Sequence, residues 1–164
     1  MYLRDLFLGT TTLISVNAAG TQSGNGVSVA GSISSDGLRA AFSSNATDLH
    51  PLDTDVGRDV FVRDLGKGTN RLVSTDAAGT GSANGLSEFP SITPDGRFVL
   101  FESTGDNLVS GDGNFSRDVF ARDMAGETTI LISRTPSGAR PTTAPATAPA
   151  TATRSTPSSS SGSR

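Results

Sequence analysis

Short runs of apolar and β-branched residues alternate with clusters of turn residues along most of the chain. In one representative stretch, strands are predicted at 91–93 and 97–102, on either side of a Pro-Asp-Gly turn, and again at 119–123 and 128–133. No stretch keeps helical spacing of its apolar positions long enough to predict a helix. The pattern therefore predicts an all-β protein built from units of four antiparallel strands.

The strand predicted at 97–102 is apolar on both of its faces. Phe98, Val99, Leu100 and Phe101 follow one another without a polar residue. Since neighbouring residues of a strand point to opposite faces, both faces of this sheet must be covered. Stacking of one small sheet against the next would supply that cover.

The chain repeats itself every 59 residues. Residues 1–59 align with 60–118 without a gap, and 25 positions are identical. The identical positions are mostly turn residues, and apolar character is kept between them. A third copy begins at Val119 and continues to Gly138. A repeat whose unit cannot bury its own apolar faces is typical of stacked repeat architectures.

Two segments resemble a known blade signature. Pro90-Ser-Ile-Thr-Pro-Asp-Gly-Arg-Phe-Val-Leu-Phe-Glu-Ser103 is similar to the repeats of TolB-like, WD-type β-propellers, in which an inner strand ends at a Pro-Asp-Gly turn. Ser32-Ile-Ser-Ser-Asp-Gly-Leu-Arg-Ala-Ala-Phe-Ser-Ser44 is a weaker match, with Ser35 in place of the proline. The resemblance covers residues 1–134 and implies a β-propeller, a fold that serves many unrelated functions.

Placed on this pattern, the repeats predict about two and a half propeller blades. Residues 1–16 supply a partial blade, and about 27–75 and about 86–134 supply two full blades. A propeller ring typically closes with four to eight blades, so an incomplete ring is expected. A fragment of a longer chain, closure by self-association and an open stack remain as explanations. Residues 135–164 are predicted to be a disordered Ala/Thr/Ser/Pro-rich tail, either a genuine linker or the product of a changed reading frame.

Charge and composition exclude several classes of protein. Residues 1–134 hold 10 basic and all 16 acidic residues, a net charge of −6. Such a body lacks the clustered basic surface that nucleic-acid binding needs. The absence of cysteine excludes disulfides and thiolate metal sites, and no apolar run is long enough to predict a membrane span.

The long connections between strands are predicted to lie at one end of the sheets. Strands alternate in direction, so the connection after the second strand and the one after the fourth emerge together. These connections are 17–28 and 45–59 in the first repeat, and 76–87 and 104–118 in the second. Long loops grouped on a rigid scaffold favour a binding face, although long loops are also tolerated without a function.

Two of these loops share the pattern Asp-x-(Asp/Asn)-x-x-Arg-Asp directly before a strand. Oxygen donors at alternate positions of a turning loop can converge on calcium, which accepts oxygen ligands. Alternatively, the acids cap turns by bonding backbone amides, with Arg58 and Arg117 neutralising them. The candidate calcium ligands are Asp53, Asp55, Asp59, Asp112, Asn114 and Asp118. No other cofactor is indicated.

The resemblance implies a non-catalytic protein-binding or scaffolding module. We expect it to be a fragment of a larger exported bacterial protein, periplasmic or secreted, whose signal peptide lies upstream of this chain. Its expected partners are another protein or further propeller blades, with self-association as a way to cover exposed faces. Two alternatives remain: the accessory propeller of a larger hydrolase, cleaving peptides or polysaccharides, and a calcium-binding repeat protein. His50, the sole histidine, recurs in no other repeat, so the chain is not predicted to be an enzyme.

Overall fold

A computed structural model describes residues 1–114 and 116–134, and every regular element in them is a β-strand. The predicted tail at 135–164 lies outside the described residues. The prediction of an all-β protein is confirmed. The strands are β1 (Tyr2–Asp5), β2 (Thr10–Leu13), β3 (Ser28–Ile33), β4 (Arg39–Ser44), β5 (Asp59–Asp64), β6 (Thr69–Leu72), β7 (Ser87–Ile92), β8 (Phe98–Ser103), β9 (Asp118–Asp123) and β10 (Thr128–Leu131).

The strands form three antiparallel sheets. The two-stranded sheet is β1–β2, the central sheet is β3–β4–β5–β6, and the third sheet is β7–β8–β9–β10. Phe42 pairs with Phe61 in the central sheet, and Phe101 pairs with Phe120 at the same place in the third. The predicted unit of four antiparallel strands is therefore present twice, with the same register.

Each outer hairpin closes through the aspartate that ends its first strand. The carboxylate of Asp64 accepts a hydrogen bond from the amide of Lys67 at 2.9 Å, and Asp123 accepts one from Ala125 at 2.9 Å. Gly68 then adopts a positive φ of 70°, which glycine tolerates without a steric penalty. Glu127 occupies the same position in the third repeat with φ 53°, so that turn keeps its shape without glycine.

Two apolar clusters cover the two faces of the central sheet. The first cluster lies between the two-stranded sheet and the central sheet, and the second lies between the central and third sheets. The buried members of the first cluster are Ile14, Ala40, Phe42, Ala46, Leu49, Phe61 and Leu72. Those of the second are Ala41, Val60, Val62, Val73, Ala83, Ile92, Val99, Phe101, Leu108, Phe120, Met124 and Leu131. The expectation that a neighbouring sheet covers each face is met on both sides of the central sheet.

Strands β3 and β7 bring the central and third sheets into direct contact. The amide of Ile92 donates a hydrogen bond to the Ser32 hydroxyl at 2.7 Å, and the amide of Ser35 donates one to the carbonyl of Pro94 at 2.8 Å. Gly31 faces Pro90 at such short range that a Cβ at Gly31 would overlap the Pro90 carbonyl oxygen. The two sheets are thus held by polar contacts as well as by the second cluster.

No membrane-crossing helix occurs among the residues that the structure describes.

Candidate functional site

The long connections of each repeat interlock at one end of the sheets. In the first repeat the amide of Asn25 donates to the Asp48 carboxylate at 2.9 Å, and Asn25 in turn accepts from the amide of Thr47 at 2.9 Å. In the second repeat the amide of Asn84 donates to the Asn107 side chain at 2.9 Å. These reciprocal bonds replace regular pairing and give the loops a defined shape.

Three acidic side chains converge within this loop end, and we call them the Asp53 cluster. It consists of Asp53, Asp55 and Asp59, each of which offers a carboxylate oxygen within 4.8 Å of the other two. Asp53 and Asp55 belong to the connection between β4 and β5, and Asp59 is the first residue of β5. Asp53 is 4% exposed and Asp59 is 1% exposed, whereas Asp55 is half-buried. The structure thus brings the three predicted residues of the first loop together.

Neutral groups hold two of the three carboxylates. The Ser74 hydroxyl donates to Asp59 at 2.6 Å, and the Ser82 hydroxyl donates to Asp55 at 2.7 Å. The amide of Gly57 also donates to Asp55 at 2.5 Å, so Asp55 caps a turn as the alternative interpretation predicted. The Asp53 cluster is therefore positioned by β5, by Ser74 two residues after β6, and by the connection that leads to β7.

Burial and crowding change the acidity of this cluster. Burial raises the pKa of Asp59 to about 7, against a lowering effect of the Ser74 hydroxyl, and repulsion from Asp53 and Asp55 adds to the rise. Burial and repulsion from Asp55 raise the pKa of Asp53 to about 6. Asp53 and Asp59 therefore hold their protons more tightly than ordinary aspartates, because burial removes water from their charged forms.

The neighbouring arginines point to other partners. Arg58 lies 3.6 Å from the carboxylate of Glu88, and Arg117 forms ion pairs with Glu88 at 3.1 Å and Glu102 at 3.3 Å. The expectation that Arg58 and Arg117 neutralise the loop acids is thus not met by these contacts. The arginines instead link the loop ends to strands β7 and β8.

The second loop places its residues in the equivalent way. Asp112 and Asp118 are 8% and 3% exposed, and the Ser133 hydroxyl donates to Asp118 at 2.6 Å as Ser74 does to Asp59. The amide of Ser116 donates to Asn114 at 3.0 Å. Because Asn114 stands where the first loop has an acid, the second loop carries one negative charge fewer.

Sequence reasoning missed the two serines that hold the Asp53 cluster. A signal for them exists in the repeat: Ser74 is matched by Ser15 and Ser133, and Ser82 by Ser23. Identical hydroxyls at these positions indicate a shared hydrogen bond, and the amides of Val60 and Val119 donate to Ser74 and Ser133 at 3.0 and 3.1 Å.

The His50 side chain lines a groove of about 480 Å³ together with Arg71 and Arg122, and none of the three acids of the Asp53 cluster lines it. The His50 carbonyl accepts a hydrogen bond from the Asp53 amide at 3.1 Å. Burial lowers the pKa of His50, and the positive charge of Arg71 lowers it further. The imidazole is therefore neutral at pH 7, and it accepts a hydrogen bond from the amide of Leu52 at 3.2 Å.

The raised pKa of Asp59 predicts a pH-dependent effect of replacing it. The native carboxyl has a pKa of about 7, against an ordinary value of 3.8, so the folded protein binds the proton more tightly than the unfolded chain. The stabilising contribution of Asp59 is then complete below about pH 4 and is lost as the pH rises through about 7. With a chelator present, we expect Asp59→Asn to gain stability relative to the unsubstituted protein over this range.

Urea unfolding at several pH values between about 4 and 8 measures this difference. Asp95→Asn is the matched control. The Thr93 hydroxyl lowers the pKa of Asp95 below its ordinary value, so the effect of this substitution is expected to stay flat above about pH 5. A stability difference for Asp59→Asn that does not vary with pH would contradict the prediction.

The chain matches no model of a known protein family. No curated protein matches it either.

Proposed function

We propose that this protein is a non-catalytic repeat module of the β-propeller type that binds another sheet of the same repeat, supplied by a second copy of the chain. One observation carries the proposal. The contact between the central and third sheets joins two kinds of sheet face, and one face of each kind is exposed: the outer face of the third sheet and the far face of the two-stranded sheet. Resemblance to TolB-like repeats supports the propeller architecture and a site of action in the periplasm or outside the cell.

The first half is the face of the third sheet that points away from the central sheet. Leu100 and Ile132 are 40% and 47% exposed there. Their equivalents in the central sheet, Ala41 and Val73, are 2% and 0% exposed, because the third sheet covers them. Ile130, which pairs across the sheet with Ala121, is 52% exposed on the same face. This face thus has the apolar character of a covered face.

The second half is the far face of the two-stranded sheet. Tyr2 is 70% exposed, whereas its equivalents Phe61 and Phe120 are fully buried against the preceding sheet. Leu6 is 90% exposed, and its equivalent Met124 is 8% exposed within the second cluster. An aromatic ring and an apolar side chain are therefore presented where the other two sheets contact a neighbour.

The two halves complement each other head to tail. A second copy that places its Tyr2 face on the Ile132 face repeats the contact already made between the central and third sheets. Such a contact is heterologous, and it forms a closed ring when the rotation between copies permits. Two copies of three sheets give six blade positions, within the range of closed propellers.

Sedimentation velocity over a wide concentration range tests this proposal. We expect the unsubstituted protein to form a concentration-dependent dimer. Ile132→Asp and Tyr2→Asp each place a charge in one half of the interface, and each is expected to weaken association at least about tenfold. In a mixture of the two variants, the unsubstituted Tyr2 face of one can still bind the unsubstituted Ile132 face of the other. The mixture is therefore expected to recover a dimer.

Val27→Asp is the matched control. Val27 is 63% exposed, and its equivalent Leu86 stays 47% exposed, so the contact between the central and third sheets does not bury this position. Its association is expected to match that of the unsubstituted protein. A protein that stays monomeric at every concentration, or a mixture of the two variants that fails to associate, contradicts the proposal.

A further inference from the structure

One carboxylate oxygen of the Asp53 cluster is buried and unpartnered. Asp53 is 4% exposed, and within the described residues its Oδ1 atom accepts no hydrogen bond. A buried charged oxygen without a donor is costly, because water no longer solvates it. Native proteins satisfy nearly all such groups, so this one indicates a missing donor or a missing cation.

The surroundings of the Asp53 carboxylate are anionic. Asp55 and Asp59 bring carboxylate oxygens within 4.8 Å of the one Asp53 offers. The hydroxyls of Ser74 and Ser82 are neutral donors and supply no positive charge to the carboxylates. Like charges at this separation repel strongly away from water. The geometry therefore favours a positive ion at the centre of the cluster.

The side chain nearest in sequence does not fill that role. Arg58 precedes Asp59, and its guanidinium lies 3.6 Å from Glu88 on β7. Arg117, at the equivalent place in the second loop, pairs with the same glutamate at 3.1 Å. Both arginines therefore pair with Glu88 on β7.

We propose that Asp53, Asp55 and Asp59 bind one calcium ion. The donors are carboxylate oxygens, which suit a hard cation and not the softer metals that prefer sulfur or imidazole. Calcium accepts six to eight oxygens in a flexible arrangement, whereas magnesium demands near-ideal octahedral geometry. The irregular connection between β4 and β5 fits the less demanding ion, with water and backbone carbonyls completing the shell.

Calcium at this place would tie together three parts of the loop end. Asp59 begins β5, Asp53 and Asp55 lie in the preceding connection, and Asp55 already accepts a hydrogen bond from Ser82 on the connection to β7. The ion would therefore order the loop end of the central sheet next to the third sheet. This role is independent of the sheet faces that the proposed self-association uses.

Calorimetric titration of the chelator-treated full chain with calcium chloride, together with thermal melting, tests the proposal. We expect one ion per chain at the Asp53 cluster, with a dissociation constant of about 10⁻⁴ to 10⁻³ M, as in extracellular calcium modules. At a calcium concentration about ten times that constant, the melting temperature is expected to rise by about 3–6 °C. Magnesium chloride is expected to give a smaller rise.

Two variants separate calcium binding from a structural role. Asp53→Asn is expected to abolish the calcium-induced rise and, without calcium, to melt no lower than the unsubstituted protein, because it removes a buried charge. Asp55→Asn reproduces Asn114 of the second loop, whose turn the chain already forms, and is expected to weaken binding at least about tenfold. Asp112→Asn in the second loop is the matched control and is expected to keep the rise.

Absence of heat and of any change in melting temperature at calcium concentrations well above the expected constant overturns the proposal. A calcium-induced rise that persists in both Asp53→Asn and Asp55→Asn overturns it as well, because the ion would then bind elsewhere.

Discussion

Replacing Phe120 with alanine is expected to lower the free energy of unfolding by about 3–5 kcal/mol. Phe120 is 0% exposed in the second cluster, and its ring stacks on Phe101 with centroids 5.7 Å apart. Truncation removes the buried ring and leaves a cavity between the central and third sheets, which β3 and β7 prevent from closing. Urea unfolding followed by circular dichroism measures the loss.

Phe7→Ala is the matched control, because Phe7 is 96% exposed in the turn between β1 and β2. The same change of side chain there is expected to alter the free energy of unfolding by less than about 0.5 kcal/mol. If Phe120→Ala cost no more than Phe7→Ala, the packing of the third sheet on the central sheet would be wrong.

The second large effect is expected from Gly31→Val. A Cβ at Gly31 would overlap the Pro90 carbonyl oxygen and lie 2.8 Å from the Pro90 ring and 2.9 Å from the Ala41 carbonyl. The Pro90 carbonyl belongs to the backbone of β7 and the Ala41 carbonyl to the backbone of β4, so relief requires β3 to move away from both strands. We expect a loss of about 3 kcal/mol, at the upper end of what overpacking costs.

Ala30→Val is the matched control. It tests whether any β-branched residue on β3 lowers stability, independently of the close approach to Pro90. Ala30 is the neighbour of Gly31 on the same strand and is exposed, so its replacement is expected to change stability little. Hydrogen exchange of the Ile92 amide reports the same contact, because that amide donates to Ser32 across the two sheets. A stable Gly31→Val protein with unchanged protection at Ile92 would contradict the close approach of β3 and β7.

The strands could be predicted because their signals are local. Alternation of short apolar runs with Asp-Gly turns gave β8 and β9 within one or two residues of their observed bounds, Phe98–Ser103 and Asp118–Asp123. Because each element recurs 59 residues later, a strand predicted in one copy could be checked against the other copy. Apolar residues on both faces of β8 predicted cover on each face. The central sheet covers the face that carries Val99 and Phe101, whereas Leu100 on the other face is 40% exposed.

The candidate metal ligands could be predicted in part. The pattern of acids identified Asp53, Asp55 and Asp59, because oxygen donors at alternate positions of a loop converge. It did not identify Ser74 or Ser82, which lie 15 and 27 residues away from their partners Asp59 and Asp55. Nor did it show that Arg58 turns toward Glu88, since the partner of a long flexible side chain depends on which strand folds beside it.

The sequence alone determined the strand pattern, the repeat and the need for cover on both faces of each sheet, because these follow from side-chain alternation and turn chemistry between near neighbours. Only the tertiary structure decided which faces are covered: Ala41 and Val73 are buried, whereas their equivalents Leu100 and Ile132 are exposed. It also decided that Asp53 keeps an unpartnered buried oxygen. Equivalent positions such as Ala41 and Leu100 differ in burial because burial depends on which sheet lies alongside, and residues adjacent in the chain do not specify that neighbour.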